Sequence, residues 1–119
     1  MANHERMTNR TSDYMEVTLY NVDKDNVKPF ESAWNELSRL SQMQMGYEWT
    51  KMYKAIAWEQ SPHQYISVKM WGRKKYASDF QKTEDHAKAV EQINKHTSVK
   101  PVTDKYITVV DDSVVRLIH

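Results

Sequence analysis

From residue 13 to residue 21 apolar and polar positions alternate. Met15, Val17 and Leu19 form one row, and Tyr14, Glu16, Thr18 and Tyr20 form the other. A period of two marks a strand. Between residues 26 and 45 the period changes. Phe30, Trp34, Leu37, Leu40 and Met45 recur every three or four residues, which is one stripe of a helix. Asp25 or Asn26 can cap that helix, Pro29 fits its first turn, and Gly46 is a natural stop. Residues 47–58, YEWTKMYKAIAW, predict a second strand and residues 65–71, YISVKMW, a third, with Ser61-Pro62 breaking the chain between them. Residues 73–96 carry helical spacing with an interruption near Gln81 to Thr83. Tyr76 and Phe80 belong to the first piece. His86, Ala89, Val90 and Ile93 line one face of the second, with Glu84 and Asp85 at its positive N-terminal end. Residues 104–110 predict a fourth strand, Asp111-Asp112-Ser113 a turn or bulge, and Val114 to Ile118 an extra apolar strand or arm. Residues 1–12 are polar and aperiodic and predict a flexible tail.

The order is strand, helix, strand, strand, helix, strand. It predicts an α+β, ferredoxin-like domain over residues 13–119: a four-stranded antiparallel sheet with its helices on one face. One row of each strand must then face the helices. The aliphatic row of Met15, Val17, Leu19, Ile66, Val68, Met70, Ile107 and Val109 suits that role. The opposite parity holds Tyr14, Tyr20, Tyr47, Trp49, Tyr53, Tyr65, Trp71 and Tyr106, interleaved with Glu16, Thr18, Lys51, Ser67, Lys69 and Thr108. The second strand fits least cleanly. Each aromatic removes roughly 150–250 Å² from water when buried, and an exposed patch of that kind marks an interface. The expectation is a homodimer stacked through these eight aromatics. An open face that stacks nucleic-acid bases is the competing reading. Its signature needs a glycine on a central strand, and no glycine lies between Gly46 and Gly72.

Composition narrows the chemistry. The 119 residues fit one domain. There is no cysteine, so disulfides, thiolate nucleophiles and zinc knuckles are excluded. Two glycines cannot build a phosphate loop, a dinucleotide fingerprint or a nucleophile elbow. Lys plus Arg is 17 against 16 for Asp plus Glu, which gives no electrostatic reason to expect nucleic acid or a membrane surface as partner. No apolar run reaches the roughly 20 residues of a membrane span, and MANHERMTNR does not read as a signal peptide. The expectation is a cytoplasmic protein, in which the sequon Asn9-Arg10-Thr11 is a chance match.

The stretch Val68 to Val90, VKMWGRKKYASDFQKTEDHAKAV, resembles the antibiotic-biosynthesis-monooxygenase-like branch of the dimeric α+β barrels. The resembling elements are a strand ending in Trp71, a short helix with Tyr76 and Phe80, a break at Thr83-Glu84, and a helix from His86 to Ile93. The resemblance implies a dimer with a small apolar pocket between helices and sheet in each subunit. It also implies members that are cofactor-independent oxygenases of aromatic polyketides, or haem-degrading enzymes. The haem-degrading pattern uses Asn, Trp and His where this chain has Met15, Phe80 and Val90, so its residues are missing.

On that resemblance the pocket wall is Met15, Val17, Phe30, Trp34, Leu37, Ile56, Val68, Met70, Phe80, His86 and Val90. Such a cavity suits a small hydrophobic or aromatic ligand. His86 is the candidate base, since a pocket imidazole can move a proton near neutral pH, against the plainer reading of a core-edge histidine. Glu84, Asp85 and His86 are consecutive and fan around a helix, so no metal site is expected, and no cofactor. Arg73-Lys74-Lys75 reads as a solvated helix start or as an attractor for an anionic headgroup. Four functions stay open: a dimeric binder of a hydrophobic ligand with cofactor-independent oxygenation as its chemistry, a non-catalytic dimer with a solid interior, a haem binder using His86, and a single-strand nucleic-acid binder.

Overall fold

The computed structural model describes residues 13–113; the expected tail and the Val114–Ile118 arm lie outside the described residues. The elements are β1 (Tyr14–Tyr20), a 3₁₀ turn (Lys24–Asn26), α1 (Val27–Gln42), β2 (Tyr47–Lys54), β3 (Tyr65–Trp71), α2 (Lys74–Gln81), α3 (Glu84–Asn94) and β4 (Val102–Ile107). The strands form one sheet in the order β2-β3-β1-β4, each neighbour antiparallel. This is the ferredoxin-like α+β arrangement that the alternating periods predict.

Two strands are shorter than their apolar runs. β2 stops at Lys54, which pairs with Tyr65, the first residue of β3. Beyond that point no partner strand remains, and Ile56 stands fully exposed in the connection. β4 likewise stops at Ile107, opposite the first residue of β1. The helix start differs as well. Asn26 occupies the cap position of α1 without a side-chain cap bond, and Met45 lies past the helix end, exposed. Gly46 turns the chain with φ 78°, and a Cβ there would run into the Tyr76 ring. Both its torsion and the close approach require glycine.

The main correction concerns the faces of the sheet. The aromatic row, not the aliphatic one, is turned to the helices. The Tyr65 hydroxyl reaches Glu31 on α1, Lys69 reaches Ser41 on α1, and Trp71 packs on Phe80 of α2. Tyr20 lies edge-on to Phe30 and to Trp34. Cross-strand pairing puts Glu16 opposite Lys69 and Thr18 opposite Ser67, so these share the covered row. Five of the residues expected at a dimer face, Tyr14, Tyr20, Tyr47, Tyr65 and Trp71, therefore pack beneath the helices. The physical reason is reach. The layer between a sheet and its helices is filled by long aromatics whose polar tips find partners inside it.

The aliphatic residues Met15, Val17, Leu19, Ile66, Val68 and Met70 occupy the opposite row. A bulge between Tyr47 and Trp49 explains the irregular second strand. One extra residue shifts parity, so Tyr47 packs with Trp71 under the helices while Trp49, Lys51 and Tyr53 pair with Met70, Val68 and Ile66 on the open row. Tyr106 joins that row opposite Met15. Of the eight expected interface aromatics, Trp49, Tyr53 and Tyr106 lie on the open face. A base-stacking platform is thereby reduced to scattered rings. Among the described residues no helix is long and apolar enough to cross a membrane.

Candidate active site

A cavity of about 260 Å³ opens between the covered face of the sheet and the helices. β1 contributes Glu16, Thr18 and Tyr20, and β3 contributes Ser67 and Lys69. α1 supplies Trp34 and Leu37; α3 supplies His86, Val90 and Ile93. Lys100, Pro101 and Thr103 close one side as the chain enters β4. Of the expected wall, Trp34, Leu37, His86 and Val90 line this cavity, while Phe30 and Phe80 are buried beside it. Met15, Val17, Val68 and Met70 are on the other face of the sheet and Ile56 is in solvent, so these five are corrected out of the pocket. The wall is consequently more polar than an aliphatic row would make it.

Lys69 is the central group. It is 7% exposed. Its Nζ donates to Ser41 Oγ at 2.8 Å, and that hydroxyl donates onward to the Leu37 carbonyl. Nζ lies 5.4 Å from the Trp34 ring centre, 5.7 Å from Phe80 and 5.9 Å from Tyr47. Burial pushes its pKa down to about 8, with the nearby Glu16 charge opposing the shift.

Glu16 is also buried, directly across the ladder from Lys69. The two do not close into an ion pair. Glu16 Oε1 accepts from the Trp71 indole at 3.0 Å, and Oε2 accepts from the Gln81 amide. A buried carboxylate is held here by two N–H donors, while the ammonium leans the other way toward α1.

His86 is positioned by its helix start. Thr83 caps α3, its Oγ accepting from the His86 backbone N–H at 3.2 Å. That bond fixes the first turn and sets the imidazole 4.9 Å from Phe80, edge to face. Burial lowers the His86 pKa, and the Lys69 charge lowers it further. Both effects favour the neutral imidazole, the form that can accept a proton. Glu84 and Asp85 occupy the first turn of α3 and are exposed. Arg73, Lys74 and Lys75 are exposed at the start of α2. No group of three His, Asp or Glu side chains converges on a common point among the described residues.

A second recess of about 350 Å³ lies between α1 and β2, lined by Glu31, Asn35, Ser38, Thr50 and Lys54. There the Tyr65 hydroxyl donates to Glu31 Oε2 at 2.5 Å and Lys54 pairs with the same oxygen at 3.2 Å. These contacts hold the Glu31 carboxyl below its usual range, the Tyr65 bond foremost. Burial, with Glu31 beside it, raises the Tyr65 hydroxyl well above its ordinary value.

Sequence reasoning missed Glu16, Ser67, Lys69 and Gln81 as pocket residues, and it assigned Tyr20 to the dimer face. The signal was in the pairing. Once β1 and β3 are aligned, Glu16 and Lys69 face each other on a row of aromatics, and an opposite-charge pair set among rings marks a lined interior.

In sequence, no family model and no curated protein matches the chain. In structure the matches are extensive. A conserved protein from Methanosarcina mazei Go1 superposes with a TM-score of 0.76 at 10% identity, covering 86% of this chain and 98% of that one. The same fold occurs in proteins named as antibiotic biosynthesis monooxygenases. SnoaB, a cofactor-independent oxygenase from Streptomyces nogalater, matches with a TM-score of 0.70 at 9% identity over 82% of this chain and 93% of its own. A Bordetella bronchiseptica protein that carries an antibiotic biosynthesis monooxygenase name matches at 0.70 and 16% identity, covering 83% and 99%. Identities this low establish a shared fold and leave the chemistry of this chain to its own residues.

Proposed function

We propose that this monooxygenase-like chain is a homodimeric protein that binds a compact aromatic ligand beneath its helices and oxidises it with dioxygen, without a bound cofactor. The observation that carries this reading is the half-buried His86 imidazole lining a cavity walled by Trp34 and Tyr20. In such chemistry the substrate supplies the electrons. His86 takes a proton from a methylene flanked by aromatic rings and conjugated to a carbonyl. The charge left behind spreads onto the substrate's oxygen. Dioxygen adds at the carbon, the resulting peroxide regains the proton from His86, and loss of water leaves a new carbonyl. The balance is CH₂ plus O₂ giving C=O plus H₂O. The likeness to SnoaB, named as a cofactor-independent oxygenase, supports the class of reaction. A cavity of about 260 Å³ supports a ligand of a few fused rings over a solid interior.

The dimer is proposed through the open sheet face. Ile66, Tyr53, Tyr106 and Val102 are exposed there beside Val17 and Val68. An apolar surface of this extent in water favours a second copy.

The test is oxygen uptake with anthrone, an aromatic ketone with an acidic methylene, in metal-free buffer. Wild-type protein should accelerate uptake over buffer, and His86→Ala should lower the rate by at least about 100-fold, the usual contribution of a positioned base. An undiminished rate in His86→Ala, or no acceleration by the wild type, overturns the reading.

A further inference from the structure

Lys69 has a geometry that base catalysis by His86 leaves unused. It stands at the middle of β3 with its side chain buried, and it lines the same cavity as His86. Its natural cross-strand partner, Glu16, is engaged by Trp71 and Gln81 instead. The bond that Nζ makes is to a neutral hydroxyl, that of Ser41. A neutral amine can keep that bond with one N–H and still have a lone pair for attack. The aromatic rings of Trp34 and Phe80 stand within 6 Å of Nζ and would pack against an aryl group delivered to it.

We propose that Lys69 is an amine nucleophile that captures an aromatic aldehyde or ketone in this cavity as an imine. The nitrogen lone pair attacks the carbonyl carbon, and His86 carries the first of the two nitrogen protons to the carbonyl oxygen, which becomes a hydroxyl. His86 then takes the second proton from the nitrogen and delivers it to that hydroxyl, which leaves as water while the C=N bond forms. Nothing is oxidised or reduced, and the protein supplies every proton moved. The imine, once protonated, acidifies the neighbouring C–H, which suits a cavity that also holds a base. The proposal rests on the cavity admitting a ligand, and it does not require oxygenation.

Burial supports the chemistry, since an amine titrating near 8 has a neutral fraction at pH 7.5 roughly 200-fold above that of a surface lysine. Glu16 on β1 bears on that titration, and the other titratable groups around Lys69 are His86 on α3 and Tyr47 on β2, with Tyr20 and Lys100 also lining the cavity. From α1 and α2 it meets Ser41, Trp34 and Phe80, which carry no charge.

The experiment treats the intact protein with 2-naphthaldehyde and sodium cyanoborohydride, which fixes an imine as a secondary amine, followed by peptide mass mapping. Lys69 should be labelled at least about tenfold faster than the exposed Lys28 and Lys95, with a half-maximal rate near pH 8. Lys69→Arg should lose that label while Lys28 and Lys95 react as before. Because the comparison among lysines is made within the wild type, it does not depend on the variant folding. Labelling of Lys69 no faster than that of Lys28 overturns the proposal. Anthrone oxidation by the wild type, read separately, would survive that result, so the two readings fail independently.

Discussion

The two faces of the sheet use the same strands in opposite ways. On the covered face, Tyr20, Tyr65 and Trp71 span the gap to the helices and bring their polar ends with them: the Trp71 indole on Glu16, the Tyr65 hydroxyl on Glu31. Charged groups are admitted there because the aromatics carry donors to satisfy them. On the open face, Met15, Val17, Leu19, Ile66, Val68 and Met70 are apolar, and the charged residues beside them, Lys51 and Asp104, stand exposed to water. A face of that kind can be covered by another chain, but it can hold neither a buried carboxylate nor an ammonium. The chemistry of this molecule therefore belongs on the face that looks least like a conventional core.

Removing Trp71 should break the covered face most severely. Trp71→Ala deletes a side chain that is 1% exposed and strips Glu16 of a donor. A loss of about 4 kcal/mol or more is expected, read by chemical denaturation. A loss under about 1 kcal/mol would contradict the assignment of this row to the interior.

Lys69 gives the next effect, with a defined pH sign. The unfolded lysine keeps its proton to about 10.5, whereas the folded one gives it up near 8. Between those values the unfolded chain binds more protons, so stability should rise with pH by on the order of 3 kcal/mol. Tyr20 and Tyr65, raised by burial, work the other way above pH 10, where the unfolded chain loses its phenolic protons first. The curve should climb from pH 8 and turn over near 10. Lys69→Met should flatten the climb and leave the protein at least as stable at pH 7, since Ser41 keeps its bond to the Leu37 carbonyl.

Tyr65→Phe is a smaller probe of the same face. It removes the hydrogen bond to Glu31 and keeps the ring, for an expected loss of about 1 kcal/mol. It should also let the Glu31 carboxyl rise toward its ordinary pKa, measurable by NMR titration. On the open face, Val68→Asp should change protomer stability least of all, because its row meets no helix.

Much of the fold is legible in the chain. β3 carries its period of two from Tyr65 to Trp71, and the break at Lys82-Thr83 separates α2 from α3 where the helical stripe lapses. Which parity faces the helices is not legible from hydrophobicity alone. Both rows are apolar enough to be buried, one through aliphatic and the other through aromatic carbon. The deciding feature is polar: Glu16, Ser67 and Lys69 need partners, and only a row beneath helices supplies Ser41 and Gln81 to meet them. His86 could be placed in advance, since Thr83 and the stripe through Val90 fix its face of α3. Lys69 could not, because a lysine between valine and methionine on a strand reads as solvated until its neighbours across the ladder are known.

Native mass spectrometry of wild type and Val68→Asp tests the division of labour between the faces most directly. The wild type should appear at twice the 14.1 kDa chain mass and Val68→Asp at the single mass, with the charge-state envelope of a folded protein. A wild type at the single mass, or a Val68→Asp that unfolds as Trp71→Ala does, would contradict it.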